Sequence, residues 1–137
     1  MADNAKLPQE APGSILSEVS TKKVSNHTKH VTIESNGICE AEIAKYDWDY
    51  KTAYAVMMAE SSGRHDVVNY NPSTGDHSIG CFQVNILGNL AKERPSEEEL
   101  KNPQVNVAYA HHLYEKHGFY PWSAYKNGSY LAYQVVD

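Results

Sequence analysis

The chain is short of several things, and each shortage narrows what it can be. It holds two cysteines, Cys39 and Cys81, in 137 residues. They allow a single disulfide, and Cys39 stands ahead of the first expected helix while Cys81 lies in the segment described below. A sequence carries no distance between them, so a bridge and two buried thiols both stay open. Basic side chains are outnumbered, 12 Lys and Arg against 17 Asp and Glu, for a formal charge of −5. That balance argues against nucleic-acid or anionic-membrane partners, which reward clustered Lys and Arg. No apolar run approaches the ~20 residues of a membrane span. No basic start followed by an apolar stretch is present either, so no signal peptide is visible. Phenylalanine is scarce, two residues against ten Tyr and two Trp. Tyr and Trp offer flat apolar faces with a polar tip, which suits stacking on carbohydrate as well as any half-wet surface. No strand-like alternation is sustained, so the fold is expected to be mainly α with a small β element (an α+β chain).

Residues 1 to 36 hold Pro8, Pro12 and Gly13 among many Ser, Thr, Lys and Asn, and read as a polar, weakly ordered lead-in with one short strand at Val31-Thr32-Ile33. A single domain over 37–137 follows. Ala41, Ile43, Ala44 and Tyr46 suggest a short helix broken by Asp47-Trp48-Asp49, with Trp48 in the core. Asp49 is then the expected N-cap of a second helix. Asn69 to Asp76 is dense in turn formers. Ile86 to Leu90 is expected to begin another helix. Ser96 with Glu99 has the capping-box form, and Asn102-Pro103 is an N-cap followed by a first-turn proline. Val105, Ala108, Tyr109, His112 and Leu113 mark one face of the helix that follows, and Gly118 ends it.

The informative stretch runs from Ala53 to Asn85. Ala53, Val56, Met57 and Glu60 fall at i, i+3, i+4 and i+7, so Glu60 lies on the apolar stripe of its helix. Gly63 suits the left-handed position that closes it. Desolvation beside Val56 and Met57, together with the negative end of the helix dipole, should raise the Glu60 pKa and keep a proton there for general acid work. The plain alternative is an exposed glutamate at a frayed helix end. Against it stands the segment Ser78-Ile79-Gly80-Cys81-Phe82-Gln83-Val84-Asn85, apolar but punctuated by Ser78, Gln83 and Asn85. Their neutral donors and acceptors suit N-acetyl and hydroxyl groups.

Glu60-Ser61-Ser62-Gly63 followed by Ser78-x-Gly80-x-Phe82-Gln83-Val84-Asn85 resembles the lytic transglycosylase domain of the lysozyme-like superfamily, to which goose-type lysozymes are also related. Asn102-Pro103-x-x-Asn106 and Trp122-x-x-Tyr125-x-x-Gly128 look like the two remaining motifs. The likeness covers roughly residues 38 to 130, in order. Cys81 departs from the usual Leu or Met, and Ser62 separates Ser61 from the glycine. The resemblance implies a lysozyme-like fold with a β element lining a cleft, and cleavage of peptidoglycan glycan strands outside the cytoplasm or from a phage. It implies that Glu60 protonates the glycosidic oxygen and then deprotonates the sugar's 6-hydroxyl, the substrate acetamido group replacing a second carboxylate. It further implies that the Tyr125 hydroxyl bonds the acid, and that Ser78 and Gln83 contact N-acetylated sugar, beside Asn85. No cofactor is implied, and a monomer is expected.

Other chemistries weigh less. Seven histidines include His111, His112 and His117 near one helix, but no H-E-x-x-H occurs and adjacent His111 and His112 point to different faces, so no metal is expected. Ser61 and Ser62 lack a G-x-S-x-G elbow, and a serine at a helix end more often satisfies backbone groups. Asp76 is the rival residue. As a second carboxylate it would make a two-acid hydrolase, whereas after Gly75 it reads as a turn residue, and we read it so. A non-catalytic wall-binding or virion structural module would most often have lost Glu60, which is present.

Overall fold

The helix ends written into the sequence by their caps are the ones that form. In the computed structural model, which describes residues 37–134, α1 spans Gly37–Ile43 and α2 spans Tyr50–Ser61. The expected lead-in and its strand at Val31-Thr32-Ile33 lie outside the described residues. Cys39 sits inside α1 rather than ahead of it, because the helix begins earlier than its apolar residues suggest. Asp49 caps α2 by accepting from the Thr52 N–H at 3.1 Å. At the other end Ser62 takes the left-handed position first (φ 61°), and Gly63 follows it there. A left-handed non-glycine residue costs about 1 kcal/mol; the Ser62 N–H bond to the Met58 carbonyl at 2.9 Å helps to hold it.

Three short antiparallel strands follow in the order β1 (Val68–Asn71), β2 (Asp76–Ile79) and β3 (Val84–Asn85). The turn-rich stretch Asn69 to Asp76 is therefore half strand, with a 3₁₀ turn at Pro72–Thr74 as the connection. The helix expected from Ile86 is instead a 3₁₀ turn, Gly88–Lys92. α3 (Glu97–Leu100) starts at the full Ser96–Glu99 capping box, and α4 (Pro103–His117) starts at Asn102 and stops at Gly118, as expected. The buried face of α4 is rotated from the apolar reading. Asn106, Tyr109, Ala110 and Leu113 lie inside with Val107, while Val105, Ala108 and His112 are only half-buried. A buried polar residue on the axis of the stripe is what periodicity of apolar types misses. α5 (Ser123–Lys126) and a 3₁₀ turn at Ser129–Tyr133 complete the described chain, and that last turn packs along α2.

The core joins α1, α2, α4 and the inner sheet face through Ile43, Val56, Met57, Ile79, Phe82 and Leu113. Phe82 packs between Trp48 and Trp122, with ring centroids 5.5 and 5.6 Å away. Both indoles satisfy their N–H groups, Trp48 on the Ile43 carbonyl (3.0 Å) and Trp122 on the Phe82 carbonyl (2.9 Å). A buried indole without such a partner would cost free energy. A disulfide joins Cys39 and Cys81, with Cα atoms 5.9 Å apart, which settles the choice the sequence left open. The architecture is the expected one, mainly helical with a small sheet.

Candidate active site

Glu60 lies one residue from the end of α2, directly beyond the fully buried Val56 and Met57. It is half-buried, not a frayed surface residue. Burial is the leading cause that pushes its pKa up, and the negative charge of Asp76 adds to the rise. The Ala124 backbone N–H donates to Glu60 Oε2 at 3.3 Å and opposes the rise by stabilising the carboxylate. The arrangement therefore favours a retained proton while keeping the carboxylate that would remain after its transfer hydrogen-bonded.

The register of the sheet explains what faces this acid. Asn69 pairs with Ser78 and Ser78 with Asn85, while Asn71 pairs with Asp76. Side chains alternate along a strand, so these five share one polar face. Val68, Ile79 and Val84 share the other, which enters the core. The negative charge of Asp76, on this polar face, contributes to the raised Glu60 pKa. Asp76 opens β2 instead of sitting in the turn. Its Oδ2 accepts from Thr74 Oγ1 at 3.1 Å, and its Oδ1 is buried with no hydrogen-bond partner. Ser78, two residues on, is 1% exposed and its hydroxyl also has no partner. Two buried polar atoms on one strand face are thus left without a protein partner.

The two amides of the central segment are used differently. Gln83 takes a left-handed backbone (φ 49°). Its Oε1 accepts from Asn69 Nδ2 at 2.6 Å, and its Nε2 donates to the carbonyls of Gly80 and Val67 at 3.2 and 3.4 Å. Asn85 Oδ1 accepts from the N–H groups of His77 and Leu87, both at 3.0 Å, and its Nδ2 donates to the Gly75 carbonyl at 2.8 Å. Both side chains brace the strand wall from within. Tyr125 is half-buried between Phe119, Tyr120 and Tyr130, and no hydrogen bond joins its hydroxyl to Glu60; the contact from that segment is the neighbouring Ala124 amide.

Three residues missed as site builders converge on the turn between β2 and β3. Ser61 Oγ donates to the Cys81 carbonyl at 2.8 Å and accepts from the Gly63 N–H at 3.0 Å. Asn106, fully buried, accepts from the Phe82 N–H at 2.8 Å and donates to the carbonyls of Ile79 and Leu100 at 2.8 and 2.9 Å. Trp122 holds the Phe82 carbonyl. Gly80 is obligatory here: a Cβ would lie 2.6 Å from Asn106 Nδ2 and 2.7 Å from the Leu100 carbonyl oxygen, at φ +70°. Asn69 and Asn71 were also missed as wall residues, although their i, i+2 spacing was a signal for one strand face. The histidines pack instead of gathering: His111 stacks on Tyr46 at 4.7 Å, and His112 tilts against Tyr109 at 5.6 Å. Among the described residues no group of three His, Cys, Asp or Glu is placed to hold a metal ion.

Comparison with known proteins agrees with this geometry. The family described as "Lysozyme like domain" matches residues 39–124, a stretch holding Glu60, the whole sheet and Asn106. No curated protein and no solved structure matches the chain. The matched stretch runs from the disulfide's first cysteine to the amide that meets Glu60, well over half of the chain, and the chain belongs to the lysozyme-like domain family.

Proposed function

We propose that this chain cleaves the β-1,4 bond between N-acetylmuramic acid and N-acetylglucosamine in peptidoglycan, leaving a 1,6-anhydromuramoyl end. Its family supports a peptidoglycan-acting glycosidase; the observation that carries the finer reading is Glu60, a carboxyl biased by burial to hold its proton opposite a polar strand face. The Glu60 carboxyl protonates the bridging oxygen as its bond to C1 breaks. The acetamido oxygen of the same muramoyl unit closes on C1. The Glu60 carboxylate, still hydrogen-bonded by Ala124, then takes the proton from the 6-hydroxyl as O6 attacks C1 and the acetamido oxygen leaves it, restoring the neutral acetamido group. A hydroxyl already held on the same sugar competes with water through its effective molarity. Ser78, Gln83 and Asn85 shape the wall behind the substrate, and Tyr125 seats the segment that carries the Ala124 amide. The route requires only proton transfers and a neighbouring group, so no metal or cofactor has a part in it. A buried cystine fits work in an oxidising setting outside the cytoplasm.

One observation favours a second reading. Asp76 is close enough to influence Glu60, and its buried Oδ1 lacks a partner, so a water held there would give hydrolysis and ordinary reducing ends. Mass spectrometry of muropeptides released from purified cell wall separates the two. We expect anhydro ends, and Asp76→Asn retaining substantial activity. Mainly reducing ends, lost together with activity in Asp76→Asn, would make this a hydrolytic muramidase.

A further inference from the structure

Two hydrogen-bond routes run to Glu60, and they begin at consecutive peptide units. The Cys81 carbonyl accepts from Ser61, the residue that follows Glu60. The Phe82 carbonyl accepts from Trp122, two residues before the Ala124 whose N–H reaches Glu60 Oε2. The turn that carries both carbonyls holds one residue in unfavourable backbone, Gln83 at φ 49°, beside Gly80 at φ 70°. Such a conformation persists only where its surroundings over-determine it. Asn106 holds it from α4, and the Cys39–Cys81 bond ties it to α1. Both cysteines are fully buried, and no other covalent link among the described residues reaches this turn.

We infer that the Cys39–Cys81 cystine is a positioning pair for Glu60, so that the site is set for turnover only in the oxidised chain. The inference rests on the proposed glycosidic chemistry for its kinetic consequence, but not for its structural one. Reduction by a dithiol breaks the S–S bond, places one hydrogen on each sulfur and converts the dithiol to its cyclic disulfide. The turn then keeps Asn106 and Trp122 but loses its tie to α1. Ser61 and Ala124 no longer hold the acid from two fixed directions. Because both sulfurs are buried, a reductant reaches them only through an opening of the fold, so a cystine once formed is long-lived.

The test compares the full chain oxidised, reduced by dithiothreitol under a partly destabilising condition and returned to buffer, and as the Cys39→Ala/Cys81→Ala double variant. All are assayed well below their unfolding temperatures, with circular dichroism verifying the fold. We expect kcat to fall on the order of tenfold or more in both forms lacking the disulfide, with KM within about twofold, because misplacement costs turnover more than binding. Reoxidation should restore the wild type and leave the double variant unchanged. Amide exchange at Phe82 and Ala124 should rise roughly tenfold on reduction. Equal kcat in oxidised and reduced chains, or unchanged exchange at those two amides, would overturn the inference. Should the oxidised chain not cleave peptidoglycan at all, the proposed function fails, and the exchange data alone still decide whether the cystine holds the Glu60 contacts.

Discussion

At the scale of single residues, the site reduces to one acid and what its surroundings do to its proton. Glu60→Gln keeps the shape and can still accept from Ala124, but it cannot deliver a proton. Turnover of peptidoglycan should fall by roughly 10²–10⁴, the usual contribution of a general acid. The same variant reports on stability. Burial raises the folded-state pKa of Glu60, so the folded chain binds more protons than the unfolded one between the two values. The stability tied to the neutral carboxyl is complete below the unfolded pKa and is lost as pH rises through the folded pKa. Melting temperatures should therefore show Glu60→Gln gaining on the wild type from about pH 4 toward neutrality, and a difference that ignores pH would contradict the burial argument. Tyr125→Phe tests a different point. Its hydroxyl makes no bond to Glu60 and its ring keeps Phe119, Tyr120 and Tyr130 as neighbours. The loss of kcat should stay under about tenfold, since removing one uninvolved hydroxyl is a small change; a larger loss measured across the pH range would show that the hydroxyl joins the acid once substrate is bound.

At the scale of elements, the turn between β2 and β3 does most of the positioning. Asn106→Ala would leave the Phe82 N–H and the Ile79 and Leu100 carbonyls without their partner. Each buried orphan costs about 1–3 kcal/mol, so denaturant unfolding should show a loss of about 3 kcal/mol or more. Gly80→Ala meets the same cluster from the opposite side and also requires φ near +70°. Overpacking and left-handed strain together should cost about 2–4 kcal/mol by the same measurement. A smaller loss in either variant would mean that the turn is less tightly determined than its bonds indicate.

At the scale of the whole molecule, the cystine closes a separation of 42 residues that contains α2 and the first two strands. In the chain-entropy picture a loop of that size contributes about 4 kcal/mol by constraining the unfolded chain. Reduced protein should then melt roughly 15 °C or more below oxidised protein. The aromatic layer gives the opposite kind of support, from within: Trp48, Phe82 and Trp122 join the connection between α1 and α2, the sheet turn and the segment before α5. No described helix is long and apolar enough to cross a membrane.

Sequence by itself determined what depends on neighbours within a turn or two of chain. The caps at Asp49, Ser96 and Asn102, the stop at Gly118 and the placement of Glu60 on the stripe of α2 all follow from side chains bonding or packing against backbone a few residues away. The resemblance located the same acid and the same central segment. What only the tertiary structure decided involves partners far apart in the chain. Whether Cys39 and Cys81 bond depends on a 5.9 Å Cα separation that no local pattern encodes. That Asn106 belongs inside, beside the face read as apolar, depends on Phe82, Ile79 and Leu100 presenting the groups it satisfies. That Ala124 and not Tyr125 reaches Glu60 depends on how the chain after Trp122 is seated by a bond 40 residues away. Asp76 reads as a turn residue next to Gly75, and its charge bears on the acid only in the folded chain, where it opens β2. Local rules rank a residue by its own chemistry, whereas burial, proton affinity and the choice of partner belong to the surroundings that the fold assembles.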